Sequence, residues 1–268
     1  MEKKIGFIGC GKMATALIEG LMRSQVVHPR QVVASACTEA SLYQVEKSFG
    51  IRTTLDNRHV INEADWVILA IKPGDYKSVI DEIKTLFSPQ KLLISIAIGR
   101  SIGWIEQRFH QKIKIIRAMP NLATKLGEGM TALYANSQIT EQEYADVREV
   151  FSSIGKVETM DKEEQMDAVV SISASSPAYV YLFIEAMADG GVRLGLPRDQ
   201  AYRLASQAVL GAAKTVLESG EHPGVLKDQV SSPGGSTMAA LATLEDRAFR
   251  GAVMSAMKSC TDRVKEFN

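Results

Sequence analysis

Two glycine-rich turns, each standing before a helical pattern, are the parts of this 268-residue chain best suited to hold an anion. The first is Gly9-Cys10-Gly11, with Ala14 three residues on; the second is Ser231-Ser232-Pro233-Gly234-Gly235-Ser236-Thr237. A helix start leaves several backbone N–H groups without intrahelical partners, and glycine lets a charged group come close to them. At the first turn an apolar stretch, Lys4–Ile8, runs directly into Gly9-x-Gly11-x-x-Ala14 and then a helix carrying Leu17, Ile18 and Leu21. That is the Gly/Ala form of the dinucleotide fingerprint, in the strand–turn–helix setting that gives it meaning. Gly9 permits the tight turn, Gly11 lets backbone approach a pyrophosphate, and Ala14 keeps the helix close to the sheet. A glycine turn without a ligand is the bland alternative, and its position between these two elements argues against it.

The second turn repeats the same physics beyond the region of strands, so its anion is not the cofactor's. A substrate carboxylate is the natural candidate for Gly235, Ser236 and Thr237, while a plain helix cap with a glycine hinge stays open as an equal alternative. The choice of cofactor follows from the segment after the second strand. An NAD enzyme normally places Asp or Glu there to hold the ribose 2′-hydroxyl. Here the chain reads Val33-Ala34-Ser35-Ala36-Cys37-Thr38, with no acid until Glu39, which leaves room for a 2′-phosphate and favours NADP, with NAD still open. No arginine in that loop pairs the phosphate.

The remaining reactive side chains are less telling. Cys10, Cys37 and Cys260 are scattered and odd in number, which fits reduced thiols rather than a disulfide framework. His28, His59, His110 and His222 never fall at ligand spacing, so no metal is expected. Lys72 admits a general-acid role, but the Pro73 that follows it fixes a loop, and a structural or phosphate-side lysine is the plainer account. Cys10 likewise reads as a small residue filling a turn rather than a redox sensor. Lys and Arg (31) balance Asp and Glu (31), so nothing favours nucleic acid or a membrane surface.

The elements that must position these residues divide into two kinds. Up to residue 160 short apolar runs alternate with helical patterns, the signature of an α/β, Rossmann-type doubly wound sheet. Strands are predicted at Lys4–Ile8, Val32–Ala36, Trp66–Ile71, Leu92–Ile96 and Ile113–Ala118, with shorter ones near Met130–Tyr134 and Lys156–Thr159. Helices are predicted at Lys12–Arg23, Ala40–Phe49 and Tyr76–Leu86. From 161 to 268 the strand signals stop, and Pro177–Leu194, Pro197–Ser219 and Thr237–Phe267 read as helices of an all-helical domain. Gly220 and His222-Pro223-Gly224 mark a turn. Ala168–Ile184 carries no charge and is apolar around its circumference, so it must be covered on every side. A helix-to-helix homodimer interface is expected there, against the alternative of a central helix in a monomeric bundle. Its serines and proline, and a length short of the ~20 apolar residues of a span, argue against a membrane. With no signal peptide at the start, a soluble cytoplasmic protein is expected.

Taken together, these residues resemble the pyrroline-5-carboxylate reductase family, over nearly the whole chain. The resemblance is carried by Gly6-Phe7-Ile8-Gly9-Cys10-Gly11-Lys12-Met13-Ala14, Ala70-Ile71-Lys72-Pro73, Met119-Pro120-Asn121, Pro177-Ala178-Tyr179, Glu185-Ala186-Met187-Ala188-Asp189-Gly190-Gly191-Val192 and Gly195-Leu196-Pro197. Its most specific piece is Leu226-Lys227-Asp228-Gln229-Val230 with the second glycine turn. The resemblance implies NADPH-dependent reduction of a cyclic imine to proline. It places Cys10, Lys12 and Met13 at the pyrophosphate turn, and Ser35 and Asn57 near the adenosine ribose and its phosphate. Ala70, Ile71, Lys72, Pro73 and Ala97 then border the nicotinamide side, and Gln229 reaches the cofactor from the helical domain. Ser236 and Thr237 match a carboxylate-binding turn, Glu163 a substrate-contacting position, and the C-terminal helices a dimer or a larger ring. The chain departs from the family pattern at Ala174-Ser175-Ser176, where Gly-Ser-Gly is usual, and at Ile98, where a smaller residue is usual.

Reducing an imine needs a hydride on carbon and a proton on nitrogen. A protonated iminium is already electrophilic, so positioning supplies much of the barrier reduction. Thr237 is the candidate catalytic residue, hydrogen-bonding the ring nitrogen or the water that carries its proton. Two rivals remain: a cofactor-binding regulatory paralogue without catalysis, and a 3-hydroxyisobutyrate-type hydroxyacid dehydrogenase using the lysine of Gly211-Ala212-Ala213-Lys214.

Overall fold

A computed structural model describes residues 3–266. The chain divides into two compact units, one of residues 3–175 with 260–266, the other of 176–259. The first unit contains all the strands found: β1 (Ile5–Ile8), α1 (Lys12–Ser24), β2 (Val32–Ser35), α2 (Glu39–Phe49), β3 (Arg52–Thr54), α3 (Asn57–Glu63), β4 (Trp66–Leu69), α4 (Tyr76–Ile83), β5 (Leu92–Ser95), α5 (Ile102–Phe109), β6 (Lys114–Met119), β7 (Gly129–Ala135), α6 (Glu141–Ser152), β8 (Gly155–Thr159) and α7 (Gln165–Val169). One sheet holds them in the order β3-β2-β1-β4-β5-β6-β7-β8, parallel except between β6 and β7. Strand order reverses between β1 and β4, and the crevice at such a switch point is where doubly wound sheets bind their ligands.

The inner strands are continuous apolar runs because helices cover both faces of the sheet. Ile5 and Phe7 pack with α1 residues Leu17, Ile18 and Leu21 and α6 residues Val147, Val150 and Phe151. Ile8, Val67 and Leu69 pack on the other side with Val60, Ile61, Tyr76, Ile80 and Ile105. Gly6 makes the second face close-packed: a Cβ there would lie 2.5 Å from Val60 Cγ1 and 2.7 Å from Ala64 Cβ. After α7, Val170–Ala174 forms one π-helical turn, with Ser175 N–H donating to Val170 O at 2.8 Å.

The second unit is helical: α8 (Ser176–Arg193), α9 (Arg198–Ser219), α10 (Pro223–Gln229), α11 (Ser236–Asp246) and the larger part of α12 (Phe249–Lys265). Small residues let α8 and α9 lie close, with Ala188, Ala201 and Ala205 buried and a Cβ on Gly191 only 3.2 Å from Ala201 Cβ. Many large apolar side chains stay uncovered within the single chain, among them Tyr181, Leu182, Leu204 and Leu217.

Several expectations are corrected here. The long final helix is two, because Arg247 and Ala248 break it and Ala248 takes φ +54°, a left-handed conformation that ends α11. The turn at His222-Pro223-Gly224 is the start of a helix, capped by His222 Nδ1 accepting from Gly224 N at 3.0 Å. Strand β3 is an addition to the predicted set. The charge-free segment is part of a 29-residue helical run, Gln165–Arg193, long and apolar enough to cross a membrane by length and composition. A limit drawn from the charge-free stretch alone therefore underestimates that helix.

Candidate active site

The first turn stands at the switch point, and its two glycines have different reasons to be there. Gly9 has φ +99°, and a Cβ on it would lie 2.6 Å from Ala70 O, so the fold itself requires glycine. Its N–H donates to Ser35 O at 2.9 Å, tying the turn to β2, while Ala70 N–H donates to Ile8 O at 2.9 Å and ties β4 to β1. Gly11 has φ −74° and ψ −177°, open to any residue, and a Cβ there would meet no protein atom within 4 Å. Protein packing does not explain Gly11; close approach of an outside group to backbone does. As N-cap of α1 it brings no side chain to the first turn, whereas α2, α3, α5 and α6 are capped by Thr38, Asp56, Ser101 and Thr140. The N–H groups of Lys12, Met13 and Ala14 thus stand ready for an anion, which fits a dinucleotide pyrophosphate.

Beside the turn opens a cleft of about 280 Å³ at the carboxyl ends of β4, β5 and β6. It gathers Met13, Ala70, Ile71, Pro73 and Ala97, all named from sequence, with Ile96, Ile98, Met119, Pro120, Asn121, Leu122 and Ala174. Lys72 is exposed, does not line the cleft, and precedes the short turn Pro73–Asp75, where its carbonyl accepts from Asp75 N–H at 2.9 Å. The polar member is Asn121, whose Oδ1 accepts from Ala123 N at 3.2 Å and Met130 N at 3.3 Å and whose Nδ2 donates to Ser173 O at 3.2 Å. Asn121 thereby holds the π-helical turn that brings Ala174 to the cleft.

Behind the cleft runs a buried hydrogen-bond chain. Tyr76 Oη donates to Leu69 O at 2.9 Å and so accepts from Ser95 Oγ at 3.1 Å, and Ser95 Oγ accepts from Ala97 N at 3.4 Å. Burial pushes the Tyr76 phenol far up, so it stays a neutral donor at ordinary pH. This chain joins the ends of β4 and β5, immediately before Ala70 and Ala97.

At the opposite edge Ser35 is fully buried, and its hydroxyl donates to Asn57 Oδ1 at 2.7 Å; Asn57 Nδ2 in turn donates to Glu82 Oε2 at 2.8 Å. Cys10 is part-buried, and burial raises its thiol to about 11. Glu163 Oε1 accepts from Arg117 Nη1 at 2.9 Å and Ile102 N at 2.6 Å, beside Ser101 and Trp104 and outside the lining of the apolar cleft. Among the described residues no cluster of His, Cys, Asp or Glu could hold a metal ion.

In the helical unit, Gly235 is the N-cap of α11 at φ −75° and ψ 169°, again without a side-chain cap. Gly234 takes φ +70°, and Gly235 N–H donates to Ser232 O at 3.0 Å. The backbone at Gly235 thus repeats that at Gly11. Gln229 ends α10, its Nε2 donating to Glu221 Oε2 at 2.9 Å. Asn121, Tyr76, Ser95, Glu82 and Arg117 are not among the site residues predicted from sequence. Asn121 is accessible in principle, since it follows closely on the end of β6, where such sheets place ligand contacts.

A doubly wound sheet with a glycine-led, uncapped helix at its switch point defines a dinucleotide-binding protein of the oxidoreductase type. Residues 4–99 match the family model described as NADP oxidoreductase coenzyme F420-dependent, and residues 163–267 match pyrroline-5-carboxylate reductase dimerisation. The chain is 42% identical over 268 residues to pyrroline-5-carboxylate reductase of Escherichia coli (strain K12), covering 100% of this chain and 99% of that one. It is 40% identical to the Arabidopsis thaliana enzyme over 99% of this chain and 95% of that one. The crystal structure of Plasmodium falciparum pyrroline carboxylate reductase with NADP bound superimposes with a TM-score of 0.91 at 32% identity, covering 99% and 98% of the two chains. This chain belongs to the pyrroline-5-carboxylate reductase family.

Proposed function

We propose that the protein reduces 1-pyrroline-5-carboxylate to L-proline with NADPH, the last step of proline biosynthesis. The observation that carries it is the glycine-led start of α1 at the sheet's switch point, in a chain 42% identical end to end to a reductase of that name. The bound nicotinamide supplies one hydride to the C=N carbon. The α1 N–H groups, with Gly9, Cys10, Gly11, Lys12 and Met13, bind the pyrophosphate, and Asn57, held from behind by the buried Ser35 hydroxyl, faces the adenosine ribose and its 2′-phosphate. Ala70, Ile71, Pro73 and Ala97 border the nicotinamide, where apolar walls exclude water, while the Lys72 side chain stays outside the cleft.

The second uncapped helix start gives the substrate its anchor. Gly235, Ser236 and Thr237 hold the carboxylate on the N–H groups of α11, and the Thr237 hydroxyl holds or relays the proton at the ring nitrogen. Glu163, a substrate-contacting position by family resemblance, has its Oε1 committed to Arg117 and Ile102. The uncovered apolar residues of α8 and α9 support a homodimer or larger homo-oligomer built on these helices, which we place in the cytoplasm. A cofactor-binding paralogue that has lost catalysis is the second reading, favoured by the Ala174 methyl at the cleft. One assay separates them: NADPH oxidation with pyrroline-5-carboxylate, then hydroxyacids in the reverse direction. Turnover on the imine supports reduction, and cofactor binding without turnover on either supports the paralogue.

A further inference from the structure

Glu82 has no part in the assignment above, yet it makes a side-chain contact that determines how Asn57 faces its surroundings. It lies on α4, 25 residues from Asn57, and its Oε2 accepts from Asn57 Nδ2 at 2.8 Å. An ionised carboxylate only accepts, so the atom facing it must be the amide nitrogen and not the amide oxygen. At its other end, Asn57 Oδ1 accepts the hydroxyl of Ser35, a residue with no exposed surface whose backbone carbonyl also holds the Gly9 turn. The two contacts agree on one orientation of the amide. An amide nitrogen carries two hydrogens; one goes to Glu82 and the second stays in a fixed direction.

We infer that Glu82 is a positioning residue for cofactor selection, locking Asn57 so that its second Nδ2 hydrogen is presented to the adenosine 2′-phosphate. This rests on the proposed placement of Asn57 beside the ribose. Without the carboxylate only the Ser35 hydroxyl holds the amide, and a hydroxyl can accept as well as donate, so the amide can turn its oxygen outward, where it repels a phosphate that N–H would donate to. A ribose 2′-hydroxyl both donates and accepts, so it tolerates either orientation. Loss of Glu82 therefore weakens NADPH and spares NADH. Glu82 also brings a negative charge, and a purely electrostatic role for it has the opposite sign, because removing a repelling charge would tighten NADPH.

Direct titration of the purified full-length protein with NADPH and with NADH, without imine substrate, tests this independently of the reaction. Glu82→Gln keeps the shape but can donate as well as accept. It is expected to raise the Kd for NADPH about three- to tenfold and leave that for NADH within about twofold. Glu82→Asp is expected to restore part of the difference, and Asn57→Ala to weaken NADPH without further loss when combined with Glu82→Gln. Tighter NADPH binding in Glu82→Gln, an equal loss for both cofactors, or additive losses in the double variant would overturn the inference. In the wild type, cofactor binding with this pattern but no turnover of pyrroline-5-carboxylate would sink the proposed reaction and leave the role of Glu82 standing.

Discussion

At the scale of single residues, the glycines of the first turn separate structure from function. Gly9→Ala puts a methyl 2.6 Å from Ala70 O at φ +99°, so it should lower stability by about 2 kcal/mol or more. Gly11→Val meets no protein atom at its Cβ and keeps an allowed backbone, so its midpoint in urea should barely move. Its NADPH Kd should nonetheless rise at least about tenfold, since the β-branched side chain stands where backbone must meet phosphate. Urea unfolding alongside cofactor titration checks both halves of the contrast. The thiols offer a second contrast: with its thiol near 11, Cys10 is thiolate only at about one part in ten thousand at neutral pH. Exposed Cys37 should take up a maleimide well before Cys10, as peptide mass mapping over a time course would read.

At the scale of elements, Tyr76 links α4 to the strand ends that wall the cleft. Tyr76→Phe leaves Leu69 O and Ser95 Oγ short of a buried partner, which should cost about 1–2 kcal/mol in denaturant unfolding. Ser95→Ala should cost less when added to the Tyr76→Phe variant than alone, because the two hydroxyls share one bond. The strands on either side were legible in sequence because both their faces are buried, leaving unbroken runs such as Trp66–Leu69 and Leu92–Ser95. Strand β3 was not legible: Arg52-Thr53-Thr54 is short, polar and at the sheet edge, so it carries no apolar pattern. Helix α10 hid behind Pro223-Gly224, which signals a turn and here supplies a first-turn proline. The break at Ala248 has no glycine or proline to announce it. Cleft residues such as Ala70 and Ala97 could be named from motif and strand position. Their supports could not, since Glu82 meets Asn57 and Arg117 meets Glu163 only once separate helices and strands have packed.

At the scale of the whole molecule, two helix starts share one backbone geometry without a side-chain cap, at Gly11 and Gly235, and we propose that each takes an anion. The proposed assembly through the exposed apolar residues of α8 and α9 has its own test. Leu182→Glu places a charge on an exposed leucine of α8 and should shift the sedimenting species from dimer or larger toward monomer, with helical content retained. In the proposed reaction Thr237 of the second turn holds or relays the proton at the imine nitrogen while the nicotinamide delivers hydride to carbon. Steady-state NADPH oxidation by the wild type and by Thr237→Ala, with pyrroline-5-carboxylate varied, measures it most directly. The expected result is rapid oxidation by the wild type and a kcat/KM lower by roughly ten- to hundredfold in Thr237→Ala, with NADPH affinity unchanged. Equal turnover in the two proteins would contradict the role of Thr237, and no oxidation by the wild type would contradict the reaction itself.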